Sequence, residues 1–99
     1  MKIILMCAVG MSTSLLVTKM ENYAKEINRD DISICAKSVE DLDTFVDDYD
    51  IFLLGPQVRY KEKWVRSIVE PKGKKFSNIP PQIYGRFDGK QTLELAFSL

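Results

Sequence analysis

Residues 2–6, Lys2-Ile3-Ile4-Leu5-Met6, form a near-continuous apolar run that breaks at Cys7 into small residues and passes at Met11-Ser12-Thr13-Ser14 into a segment of helical period. An apolar run of this length is what a central strand of a parallel sheet, covered on both faces, requires. A second run, Ile51-Phe52-Leu53-Leu54, is stopped by Gly55-Pro56. Between them Ile32 to Lys37 alternates with period two, as a half-buried or edge strand does. The connecting segments carry helical spacing instead. Leu16, Met20, Tyr23, Ala24 and Ile27 share one face, Ser38 is placed to cap a short acidic helix over Val39–Val46, and Tyr60, Trp64, Val65, Ile68 and Val69 share another face before Pro71 and Gly73. Alternating β-α-β-α units imply a parallel sheet with right-handed crossovers and helices on both faces.

The chain has 99 residues, 45% of them apolar, which is enough for one core and too little for two. The reading is therefore a single α/β domain over 1–99, with a four-stranded parallel sheet in the order 2-1-3-4. The fourth strand is expected within residues 76–84, as a short edge strand over Ile79-Pro80-Pro81-Gln82-Ile83-Tyr84, because prolines cannot donate ladder hydrogen bonds. Lys72-Gly73-Lys74-Lys75 reads as a basic turn and Gly85 to Gly89 as a loop. A last helix over Lys90–Leu99 is expected to bury Leu93, Ala96 and Phe97, and Trp64 is expected in the core.

Several function classes drop out. Lysine plus arginine and aspartate plus glutamate each number 14, so no basic excess exists to attract nucleic acid. The first apolar run is too short for a signal h-region and lacks a cleavage site, and no apolar run approaches the roughly 20 residues needed to cross a bilayer, so the chain is expected to be cytoplasmic and not membrane-embedded. Two cysteines and no histidine cannot supply a structural zinc site, and the thiols are expected to be reduced. No metal or cofactor is expected. Gly85 to Gln91 resembles a nucleotide-binding P-loop only superficially, since Tyr84 stands at the first glycine position and Gln91 replaces the hydroxyl residue after Lys90.

Chemistry concentrates at Cys7. In open parallel sheets ligands bind beyond the carboxyl ends of the strands, where the N-terminus of the next helix offers backbone amides and a positive dipole end. That environment favours a thiolate. Gly10 permits a tight turn, Ser12, Thr13 and Ser14 add hydroxyls, and the amides of Ala8, Val9, Gly10, Met11, Ser12 and Thr13 can form a concave anion site. Cys-x5-Thr-Ser thus suits a covalent phosphoenzyme with Cys7 as nucleophile. The plainer alternative is a small apolar residue ending a buried strand. Cys35 reads as a packing residue, or else as a resolving thiol for Cys7. Met11 either docks partners or tucks under the loop. Gln57 should lie beside the loop, where it caps its own helix or contacts the phosphoryl group or a partner. The acidic stretch Glu40 to Asp50 and the lysines 72, 74 and 75 read as solvated surface.

The small cysteine-dependent, low-molecular-weight tyrosine phosphatases resemble this pattern, but with Cys-x5-Arg-Ser. Thr13 occupies the arginine position and lacks the bidentate guanidinium that stabilises charge during hydrolysis. A carrier should hold a phosphoryl group without speeding its loss to water, so this departure suits a carrier. A phosphatase-like or thiol redox protein of similar fold, and a non-catalytic regulatory domain, are the alternatives.

Met6-Cys7-Ala8-Val9-Gly10-Met11-Ser12-Thr13-Ser14-Leu15-Leu16, then Leu54-Gly55-Pro56-Gln57-Val58-Arg59-Tyr60 and Phe87-Asp88-Gly89-Lys90, resemble the IIB component of the lactose/cellobiose class of bacterial sugar phosphotransferase systems. The resemblance spans nearly the whole chain, with departures concentrated in residues 71–81. It implies a cytoplasmic, monomeric phosphocarrier whose Cys7 accepts a phosphoryl group from a phosphohistidine of the IIA component. Cys7 then passes the group to a sugar bound by the membrane permease IIC. A stand-alone chain of this length is more similar to the cellobiose and chitobiose branch, which implies a β-linked disaccharide.

Overall fold

The period-two alternation inside the apolar runs decides the layers of the molecule. In the computed structural model, which describes residues 1–8 and 14–99 in full and residues 11–13 as backbone, β1 (Lys2–Cys7), β2 (Ser33–Ser38), β3 (Ile51–Leu54) and β4 (Lys75–Asn78) form one sheet. All pairings are parallel, in the order β2-β1-β3-β4, with Ile3 opposite Ile34 and Ile51. Ile3, Leu5, Ile51 and Leu53 point to one face and pack with Leu16, Met20 and Ala24 of α1 (Met11–Glu26). Leu93 and Ala96 of α5 (Gly89–Phe97) complete that layer, together with Tyr84 of α4 (Pro81–Gly85). Ile4, Met6, Phe52 and Leu54 point to the other face, against Leu42 and Phe45 of α2 (Leu42–Phe45) and Val65 and Val69 of α3 (Glu62–Val69). Ile3, Ile4, Leu5 and Met6 are all fully buried. Each such side chain contributes roughly 2 kcal/mol of transfer free energy.

Ser38 caps the segment after β2, its hydroxyl accepting from the Glu40 N–H at 3.3 Å. The acidic helix that follows is broken into a 3-10 turn (Val39–Asp41), α2 and a second 3-10 turn (Val46–Asp48). Thr44 Oγ1 donates to the Asp41 carbonyl at 2.7 Å, and such short polar side chains compete with the helical backbone pattern.

Three expectations are corrected. The fourth strand is Lys75–Asn78, not 79–84. Ladder bonds run from the Lys75 N–H to the Asp50 carbonyl (3.1 Å) and from the Ile79 N–H to the Leu54 carbonyl (2.9 Å), after which Pro80 and Pro81 have no N–H to continue and α4 begins. Trp64 is 37% exposed and Tyr60 78% exposed, so neither belongs to the core. The segment before α3, Pro56–Lys61, is 3-10 with a kink at Val58 (φ −118°, ψ 21°), which throws Tyr60 out of phase and buries Val58 instead. Ile27 lies beyond the end of α1 and is exposed.

The last helix begins at Gly89, one residue ahead of expectation. Phe87 takes a left-handed conformation (φ 51°), and Asp88 caps α5 by accepting from the Gln91 N–H at 3.0 Å. A Cβ on Gly89 would fall inside van der Waals contact with the Lys19 carbonyl and the Met20 amide, so α5 crosses α1 at a separation that only glycine allows. Both obstacles are backbone and cannot swing away. Leu93 and Ala96 are buried as expected, whereas Phe97 is half-buried beneath Arg29, whose Cζ stands 5.0 Å from the ring centre.

Gly89→Ala should cost about 2–3 kcal/mol by overpacking and lower the melting temperature by roughly 10–20 °C, read by circular dichroism. Gly85→Ala, where a Cβ meets open space, is the control and should melt within a few degrees of the parent. An unchanged melting temperature for Gly89→Ala would show that the two helices are not in close contact. The Gln91 N–H, with the Gln91 side chain behind it, holds the Asp88 carboxyl below its ordinary value of 3.8. A depressed folded pKa stabilises at every pH above the ordinary value, and this contribution drains away as pH falls below 3.8 through the lower folded value. Asp88→Asn should flatten that part of the acid unfolding curve; a curve of unchanged steepness would remove Asp88 from the account.

Candidate functional site

The strand order locates the crevice. From β1 the chain travels through α1 to β2 on one side, then crosses back to β3 on the other side of β1. The switch point therefore lies between the carboxyl ends of β1 and β3, the place where open parallel α/β sheets bind ligands. Cys7 ends β1, and Gly55, directly after β3, donates its N–H to the Met6 carbonyl at 2.9 Å. The Gly55-Pro56-Gln57 turn is thus beside Cys7, as expected.

Cys7 is 3% exposed. By strand alternation it shares the face of Ile3 and Leu5, beneath α1, and its S–H donates to the Lys37 carbonyl of β2 at 3.8 Å. Ala8 is exposed. α1 has 16 residues and starts at Met11, and the first N–H groups of a helix lack intrahelical acceptors. The structure therefore brings a thiol, the start of a helix and the β3 turn to one end of the sheet. Val9 and Gly10, and the side chains of Met11, Ser12 and Thr13, lie outside the described residues.

Two side-chain expectations are corrected here. Gln57 does not cap its helix: Gly55 holds the N-cap position, with no side-chain cap bond, and Gln57 is exposed. Cys35 is not a packing residue but an exposed one. It pairs with Ile4 in register while Cys7 pairs with Ser38, so the cysteines are three rungs apart. Alternation puts Cys35 on the opposite face, where it sits beside Tyr49, whose phenol burial and this neighbouring thiol push up to about 12. Disulfide geometry needs Cα atoms within about 7 Å and facing Cβ vectors, and neither condition is met.

The acidic and basic stretches are solvated, as expected, and partly paired across the surface. Lys61 meets Glu40 at 3.2 Å and Lys72 meets Asp47 at 3.1 Å. Among the described residues no cluster of histidine, cysteine, aspartate and glutamate is arranged to hold a metal, and no helix is long and apolar enough to cross a membrane. Tyr84, expected within an edge strand, lies on α4 with its ring against Gly55. Pro80-Pro81 was the available signal, because a proline pair favours the first turn of a helix that would carry Tyr84 back over the sheet.

The chain is a doubly wound parallel domain with a thiol at the carboxyl end of an interior strand. The PTS lactose/cellobiose-specific IIB subunit family matches residues 2–95. The chain is similar to a galactose-specific EIIB component of the PTS from Lactococcus lactis subsp. cremoris, at 41% identity over 98% of this chain and 94% of that protein. A cellobiose-specific EIIB component from Lactococcus lactis subsp. lactis is 40% identical over the same shares. The solution structure of a cellobiose-specific phosphotransferase IIB component from Borrelia burgdorferi superposes with a TM-score of 0.82 at 40% identity, covering 99% of this chain and 89% of that one. This chain belongs to the lactose/cellobiose-specific IIB family of the phosphotransferase system. It is a phosphotransferase component that works with IIA and IIC partners in sugar uptake.

Oxidation with diamide should give no bridge within the chain, since the cysteines face opposite sides of the sheet. Intact mass under non-reducing conditions checks this, and loss of two hydrogens from the monomer would revive the thiol redox reading.

Proposed function

We propose that Cys7 is the phosphoryl carrier of this IIB component, and that Ala8, Val9, Gly10, Met11, Ser12 and Thr13 hold the group through backbone amides and hydroxyls. The observation that carries this reading is the place of Cys7, at the carboxyl end of β1 beside the switch point and just ahead of α1. The reaction runs as two in-line displacements. The Cys7 thiolate attacks phosphorus of a phosphohistidine on IIA; the S–P bond forms as the N–P bond breaks, and the electron pair returns to the imidazole nitrogen. A sugar hydroxyl on IIC then attacks the same phosphorus; the O–P bond forms, the S–P bond breaks, its electron pair returns to sulfur, and the hydroxyl proton leaves to a base outside this chain.

Before the first step the S–H proton, donated in the resting thiol to the Lys37 carbonyl, leaves to water. Only a weak sulfur contact is lost with it. Helix-start amides then face a charge that is present in the thiolate, the transition state and the dianionic product alike, so no reorganisation of dipoles is needed between them. Thr13 in the arginine position favours holding over hydrolysis.

The chain acts as a monomeric domain of residues 1–99 in the cytoplasm. Its sugar is a β-linked disaccharide such as cellobiose or chitobiose. The relatives named for galactose and for cellobiose are equally similar to this chain, at 41% and 40%, which supports sugar choice residing on IIC.

Incubated with phosphorylated IIA, the protein should gain one phosphoryl group by intact mass, and Cys7→Ala should gain none. Equal labelling of both would overturn the assignment, whereas turnover of an aryl phosphate dependent on Cys7 would favour the phosphatase-like alternative.

A further inference from the structure

Two large aromatic side chains stand on the surface of the segment that leads from the Gly55 turn through Pro56–Lys61 into α3. Tyr60 is 78% exposed and Trp64 37%. On α3 the helical period sets Lys63, Trp64 and Ser67, all exposed, opposite the buried Val65 and Val69. Arg59, also exposed, precedes Tyr60. From Pro56 to Ser67 the chain carries Arg59, Lys61, Lys63 and Arg66 against the single acid Glu62, on a molecule whose formal charge is zero.

The acids beside this surface are already engaged. Glu62 and Glu70 both accept from Arg66, at 2.9 and 3.0 Å. Glu40 meets Lys61 at 3.2 Å, and the Lys61 ammonium also stands 5.3 Å from the centre of the Trp64 ring. Among the described residues no carboxylate lies within ion-pair distance of Arg59 or Lys63, and Arg59 acts on Glu62 only at longer range. The outcome is a pair of exposed rings flanked by two cations without a close counter-charge. Tyrosine and tryptophan beside lysine and arginine suit the boundary between lipid headgroups and hydrocarbon: the ring body and its polar tip are both satisfied there, and anionic lipid attracts the cations. The permease itself is the poorer match, because cytoplasmic loops of membrane proteins carry an excess of lysine and arginine and would set like charges face to face.

We propose that the surface formed by Arg59, Tyr60, Lys63 and Trp64 rests on anionic phospholipid headgroups. The contact is peripheral, lying on the bilayer rather than crossing it. IIC is a membrane protein, and a domain held weakly at the headgroups searches for it in the plane of the membrane. The inference goes beyond the carrier reading and stands whether or not Cys7 takes the phosphoryl group.

Trp64 is the one tryptophan of the chain, so its emission reads this surface without a label. Mixed at low salt with vesicles of equal parts phosphatidylcholine and phosphatidylglycerol, the full chain should sediment with the lipid and its emission should move to shorter wavelength. Vesicles of phosphatidylcholine alone should do neither, and added salt should release the bound protein. The double variant Arg59→Gln with Lys63→Gln should lower the ratio of bound to free protein by roughly fivefold for each charge removed, with its melting temperature within a few degrees and its labelling by phosphorylated IIA unchanged. A Trp64 spectrum indifferent to both lipid mixtures, or one that responds to them equally, overturns the inference. A shift on adding IIA without any response to lipid, or binding only to vesicles that carry IIC, assigns the surface to a protein partner and overturns it as well. If the double variant does not fold, the wild-type comparison of the two lipid mixtures decides.

Discussion

Burial of β1 on both faces is the constraint on which the rest depends. Four consecutive residues, Ile3 to Met6, are removed from water, and strict alternation sends two of them into each of two separate clusters. A slip of one residue would exchange the partners of α1 for those of α3 at every position. The same burial forces β1 to the interior of the sheet, with β2 and β3 on its two sides. Once β1 is interior and its neighbours come from opposite crossovers, the switch point at its carboxyl end is unavoidable. The cysteine is placed by the core before any chemistry acts on it.

The architecture was legible because it follows from contrast in hydrophobicity. Ile3–Met6 and Ile51–Leu54 read as central strands from composition alone, and Ile34 among polar neighbours read as an edge. The misreadings fall where contrast is weak or where a kink changes the period. Lys75-Phe76-Ser77-Asn78 carries one apolar residue, so its strand character comes from pairing with Ile51–Leu54 rather than from its own side chains. Phe76 is covered from outside by Arg66, 4.6 Å from the ring centre, an arrangement no single-residue propensity announces. Tyr60 and Trp64 were assigned to a helical face on the assumption of one uninterrupted period, and the kink at Val58 breaks that assumption.

For the site, the sequence placed the cysteine, the helix start and the Gly55 turn at one end of the sheet, because each is tied to a strand end. It did not place the ring of Tyr84 against Gly55. That residue arrives by tertiary packing across Gly55, and a proline pair read as a poor strand is in fact the start of the helix that brings it. In Phe87-Asp88-Gly89-Lys90 the glycine and aspartate serve the α1–α5 contact and the α5 cap.

The two thiols differ in more than the face they occupy. Cys7 is enclosed, whereas Cys35 stands open on the edge strand. Bulky thiol reagents therefore meet two sites of very different accessibility on a chain that need not be mutated. A fluorophore or spin label directed to Cys35 would sit three rungs from Cys7 and on the other side of the sheet, a native reporting position from which the arrival and departure of each partner can be followed while the enclosed Cys7 sulfur is left untouched.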